Sequence, residues 1–140
     1  VSFLLDTNVV SALRMRGRNP AVEAWASAIP VDELFVSAFT VAEIEAGVTR
    51  KERTDPAQGE ILRSWLMSRV LPAFAGRVLP FDLAAARVFA TYRVPEHAPA
   101  DDALIASVAE ANGMVVATRN VAHFVPLGVG VVDPWLPPGE

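Results

Sequence analysis

An α/β fold, a single domain with a central parallel sheet and helices on both faces, is predicted by three features of the sequence. Short apolar runs of strand length recur at Val1 to Leu5, Leu34 to Ser37, Arg77 to Phe81, Met114 to Ala117 and Val129 to Val132. Segments of helical spacing separate them, the order expected of strands joined by crossover helices. The composition, 52% apolar and 20% charged over 140 residues, supplies one substantial core.

Taken in order, the first run ends at Asp6-Thr7-Asn8, good helix-capping types, so a helix is expected from about Val9 to near Gly17. Pro20 suits the first turn of a second helix with Val22, Trp25 and Ala26 on one side, closed by Pro30. After the second strand, Thr40-Val41-Ala42-Glu43 has the Thr-x-x-Glu spacing of a capping box. The polar stretch from Arg50 to Gly59 reads as a connection between helices, and Ile61, Leu62, Trp65, Leu66 and Val70 then recur on one helical face until Pro72 and Gly76. Asp82 is a cap for a helix from Leu83 to Tyr92, Pro95 to Pro99 a loop, and Asp101 or Asp102 the cap of a helix stopped by Asn112-Gly113. Residues 1–135 are expected to form the domain, and 136–140, rich in Pro and Gly, a frayed tail.

Composition excludes several functions. Without Cys there are no disulfides, thiolate metal sites or cysteine nucleophiles, and two His leave little room for zinc. No apolar run reaches the length of a membrane span and no basic-then-apolar export signal opens the chain, so a soluble, cytoplasmic protein is expected. A net charge of -4 argues against indiscriminate nucleic-acid binding. Of the twelve basic residues only Lys51 is not Arg, the side chain whose planar fork suits phosphate. Arg14, Arg16 and Arg18 crowd behind the first acidic motif, either as a solvated helix end or as a phosphate-steering rim.

Asp6, Glu43 and Asp102 each fall where a strand is expected to give way to a helix, and in a parallel sheet such turns gather at one edge. Each acid alone has an ordinary explanation as a cap. Together they form a set of hard oxygen ligands suited to Mg²⁺ or Mn²⁺ and to metal-assisted phosphoryl chemistry. Like charges so gathered raise one another's pKa unless a cation neutralises them. Asn8 and Thr118 are candidates to hold the carboxylates in place, and Arg119 and Asn120 follow Thr118 at the same edge. Asp101 is expected to cap rather than ligate, and Glu45 to point away from Glu43. His97 and His123 are read as surface or packing residues.

Leu4-Leu5-Asp6-Thr7-Asn8, Thr40 to Gly47, Asp102-Ala103-Leu104-Ile105-Ala106 and Val116-Ala117-Thr118-Arg119-Asn120 resemble the ordered motifs of PIN-domain proteins, in particular VapC-type toxins of toxin-antitoxin pairs. Phe74 to Asp82 and the ending Asp133-Pro134-Trp135 are similar to the FitB-like branch. The resemblance runs from Phe3 to Trp135. It implies a Mg²⁺- or Mn²⁺-dependent ribonuclease in which Asp6, Glu43 and Asp102 hold the metal and Asn120 completes the catalytic set. It further implies a homodimer, a small cognate VapB-type antitoxin, and binding of the complex to its operator DNA through that antitoxin. Many members carry a fourth acid where this chain has Asn120, an amide that brings no charge and favours a one-metal site.

Two other readings stay open on the residues. In one, Asn120 marks a catalytically weak subunit that dimerises and completes a DNA-binding complex. In the other, the first strand's Asp is a phosphatase nucleophile, a chemistry that wants a second Asp where Asn8 stands and a well-placed Lys. Trp25, Trp65 and Leu66 are either core or part of a groove for an antitoxin helix.

Overall fold

The computed structural model describes residues 1–94, 96 and 98–137. Its five strands are β1 (Phe3–Leu5), β2 (Leu34–Ser37), β3 (Val78–Leu79), β4 (Val115–Ala117) and β5 (Val131–Val132). All pair in parallel, in the order β3-β2-β1-β4-β5. The helices are α1 (Thr7–Ala12), α2 (Pro20–Ser27), α3 (Ala38–Thr54), α4 (Pro56–Trp65), α5 (Leu71–Ala73), α6 (Leu83–Phe89), α7 (Ala100–Ala111) and α8 (Val121–Phe124). A π-helical turn, Leu66–Val70, joins α4 to α5.

Successive strand residues point to opposite faces, and both faces are buried. Leu5 and Ala117 enter one core with Val9, Val10, Val22, Ile44, Val48, Leu66 and Val70, while Leu4 and Val116 enter the other with Ala85, Ile105, Val108 and Phe124. This double burial is why the strands read as unbroken apolar runs. From β1 the chain proceeds through β2 to β3, then crosses over to β4 on the other side of β1. The order therefore reverses between β1 and β4, and the crevice beyond their carboxyl ends is the natural place for a site.

Several boundaries depart from the sequence-based expectation. The N-cap of α3 is Ser37, whose Oγ accepts from the Thr40 amide at 3.0 Å, so Thr40 and Glu43 do not form a capping box. The strand ends in its own capping residue, and this frees the Glu43 carboxylate from the helix start. The N-cap of α7 is Pro99, with both Asp101 and Asp102 inside the first turn. Neither acid caps, and Asp102 is reached from the segment after α6, not from a strand. The helix after β1 begins earlier and ends earlier than expected, and α6 stops at Phe89. Asp82 does cap α6, accepting from the Ala85 amide at 3.0 Å, and Gly113 takes the left-handed φ of +66° that ends α7. The readings of Pro95, His97 and residues 138–140 lie outside the described residues.

The polar stretch from Arg50 to Gly59 does contain the junction between two helices, but the junction is a single residue. Asp55 alone separates α3 from α4, ending one and capping the other through the Gln58 amide. Its polarity is that of two solvated helix faces clamped by Arg63, which reaches Glu45 at 2.8 Å and Glu52 at 2.9 Å. The pairing with Arg63 also directs Glu45 away from Glu43. Gly59 lets the two helices touch, because a Cβ there would lie 2.5 Å from Glu52 Cα. Among the described residues, no helix is long and apolar enough to cross a membrane.

Gly59→Ala is expected to lower stability by about 1–3 kcal/mol in urea denaturation, the overpacked contact with the α3 backbone outweighing the helix propensity gained.

Candidate active site

Asp6 leaves β1 into the crevice. It caps α1 and is only 4% exposed. Its Oδ1 accepts from the Thr7 amide at 2.7 Å, and its Oδ2 accepts from Thr118 Oγ1 at 2.8 Å and from Asn8 Nδ2 at 3.4 Å. The backbone fixes this register, with the Asp6 amide donating to Ala117 O and the Thr118 amide to Val132 O. Thr118, itself fully buried, accepts from the Asn120 amide at 2.9 Å, and Asn8 Oδ1 accepts from the Arg119 amide at 3.2 Å. Asn8 and Thr118 thus lock the end of β1 to the end of β4.

Glu43 stands in the second turn of α3, where its Oε1 accepts from Thr7 Oγ1 at 2.7 Å. Thr7 is thereby shared: its amide holds Asp6 and its hydroxyl holds Glu43. Asp102, 15% exposed at its side chain, approaches from the first turn of α7, with His123 Nδ1 2.7 Å from its Oδ2. Burial raises the Asp6 carboxyl above its ordinary value against the lowering effect of its Thr118 and Thr7 hydrogen bonds, and the Asp102 charge adds to the rise. Glu43 is likewise raised, first by burial and then by the charges of Asp6, Asp101 and Asp102.

Among the described residues, no three acidic or histidine side chains are gathered tightly enough to ligate one ion as they stand. The donor set nevertheless fits a hard divalent cation. It consists of carboxylate oxygens that feel one another's charge, and Mg²⁺ takes only one or two carboxylates directly and keeps several waters. Asp6, Glu43 and Asp102 are the residues that would hold it.

Asn120 is exposed at the start of α8, without a side-chain capping bond. Arg119 lies beside Asn8, its guanidinium 4.9 Å from the Trp135 ring centroid. Arg14, Arg16 and Arg18 lie past the far end of α1, about 9 Å of helix away from Asp6. Arg14 and Arg18 flank a polar hollow of about 430 Å³. Trp25, Trp65 and Leu66 do not form one groove. Leu66 is core, Trp25 lines an apolar hollow of about 680 Å³ between α2 and the segment after β5, and Trp65 lines a separate one beside Arg14. His123 lies at the surface as expected, and it also contacts Asp102, a pairing the sequence did not predict. Its place three residues after Asn120 was the only sequence signal available.

An all-parallel α/β sheet with buried and half-buried acids at its switch point defines a protein with an acidic crevice at the carboxyl ends of its strands. The PIN domain family model matches residues 3–124, and the chain belongs to that family. It is similar to the VapC ribonuclease Y4jK of Sinorhizobium fredii, 39% identical over 96% of this chain and 99% of that protein. It is also similar to the toxin FitB of Neisseria gonorrhoeae, 35% identical over 95% of this chain and 98% of that protein. The solved structure of FitAB bound to an IR36 DNA fragment superposes with a TM-score of 0.83 at 33% identity, covering 99% of each chain.

Because folding raises Asp6 and Glu43 above their ordinary values of 3.8 and 4.5, it disfavours their ionised forms. The penalty is absent below those ordinary values and complete above the raised ones, so the metal-free protein loses stability as pH climbs between them. Mn²⁺ at 100 times its Kd is expected to raise the thermal midpoint at neutral pH by about 5–10 °C, read by scanning fluorimetry.

Proposed function

We propose that this chain is the toxin of a toxin-antitoxin pair, a metal-dependent endoribonuclease that hydrolyses RNA phosphodiester bonds at the Asp6, Glu43, Asp102 and Asn120 crevice. The observation that carries this reading is the Asp6 carboxylate, buried among uncharged donors and raised further by the Asp102 charge. A buried anion of this kind calls for a cation. The similarity to a VapC ribonuclease and to the toxin FitB supports the substrate and the biological role.

A Mg²⁺ or Mn²⁺ ion bound at these carboxylates supplies Lewis-acid stabilisation of charge on the phosphate oxygens and an activated water. The chain's residues supply position. Thr118 and Asn8 fix Asp6, Thr7 couples Glu43 to Asp6, and no side-chain nucleophile is needed. Arg119 is aligned by Trp135 at the edge of the crevice to receive an RNA phosphate, and Arg14, Arg16 and Arg18, past the far end of α1, extend the same role away from the acids. Asn120 contributes an amide oxygen without charge, which suits a single ion.

The partners in this reading are a VapB-type antitoxin, a second copy of the chain in a homodimer, and operator DNA bound through the antitoxin complex. The FitAB structure bound to DNA supports the last of these. Asn120 also favours a second reading, a catalytically weak subunit whose main task is that complex.

Incubation of the antitoxin-free protein with a structured RNA pool is expected to give cleavage with Mn²⁺, none with chelator, and at least 100-fold less with Asp6→Asn from a parallel preparation. Operator binding by the complex with no metal-dependent cleavage under these conditions supports the second reading instead.

A further inference from the structure

Each carboxylate of the crevice has a side-chain partner that orients it. Asp6 has Thr7, Thr118 and Asn8, and Glu43 has Thr7. For Asp102 the side-chain partner among the described residues is His123, with Nδ1 2.7 Å from Oδ2. A carboxylate oxygen accepts and a ring N–H donates, so the pairing is Nδ1–H to Oδ2.

The backbone presents the ring for this contact. The neighbouring Phe124 is fully buried in the core shared by α7 and β4 and pins α8. The His123 amide donates to Asn120 O at 3.0 Å, closing the turn that follows Thr118. The imidazole itself is 47% exposed while the Asp102 side chain is 15% exposed, so the ring sits over the carboxylate at the rim and is not a core residue.

We propose that His123 is the positioning residue for Asp102: its Nδ1–H holds one carboxylate oxygen so that the other is left for a hard divalent cation in the crevice. An imidazole or other neutral donor behind a ligating carboxylate fixes its orientation, and losing such a partner typically weakens metal binding about 10–100-fold. The inference rests on the metal-dependent reading of the site. It adds a residue from α8, which joins the segment after β4 to α7, to the machinery supplied by α1 and α3.

The test is Mn²⁺ titration followed by electron paramagnetic resonance, on the metal-free protein, with no RNA present. Wild type is compared with His123→Ala and His123→Leu, which lack the donor, and with His123→Asn, whose amide nitrogen stands near the Nδ1 position. The donor-free variants are expected to bind Mn²⁺ about 10–100-fold more weakly, with His123→Asn recovering most of the loss and metal-free thermal midpoints within about 2 °C of wild type. A purely structural role would move the midpoints and would not give that rescue. Wild-type binding matched by the donor-free variants overturns the inference, as does His123→Asn binding no better than they do. Because Leu fills the ring's space, it decides the outcome if the Ala variant does not fold. Absence of Mn²⁺ binding by wild type itself overturns the metal-dependent reading, a result separate from either of these.

Discussion

A buried carboxylate whose hydrogen-bond partners among the described residues are all uncharged governs the rest of this molecule. The partners of Asp6 are a backbone amide, a hydroxyl and a side-chain amide. Such donors orient an anion and lower its pKa, yet here burial outweighs them and the carboxyl is raised. The fold thus spends stability to keep a negative charge out of water at a fixed place. Thr118 must be buried to reach it, Asn8 must bridge to the Arg119 amide, and the ends of β1 and β4 must be in register to one residue.

That register follows from topology. Since the strand order reverses between β1 and β4, the segments that leave these neighbouring strands part in different directions and open a crevice between them. Asp6 and Thr118, 112 positions apart, meet there because each directly follows its strand. Alternation within the three-residue strands then places Leu4 and Val116 in one core and Leu5 and Ala117 in the other. Sheet packing and site geometry are consequences of the same pairings.

Much of this was legible from residues. β2 occupies the predicted Leu34 to Ser37, Asp6 and Asp82 cap as expected, and Asn112-Gly113 stops α7, because local chemistry decides each of these. Asp6, Asn8 and Thr118 were placed at one edge from strand ends alone, and they do meet. What failed depended on competition or on distance. Ser37 outcompetes Thr40 for the cap of α3, and Pro99, which has no side-chain donor or acceptor, nonetheless starts α7. Arg50 to Gly59 was read as a connection between helices, and the junction does fall there, but at Asp55 alone, the rest of its polarity being helical and paired with Arg63. The His123 contact was invisible because its partner lies 21 residues earlier.

The acids are proposed to converge on one cation. Anomalous diffraction from crystals of the protein grown with Mn²⁺ tests it most directly. The expected result is a peak bordered by Asp6 and Asp102, with Glu43 bound directly or through water. A peak that avoids Asp6, or none at saturating Mn²⁺ in well-ordered crystals, would contradict it.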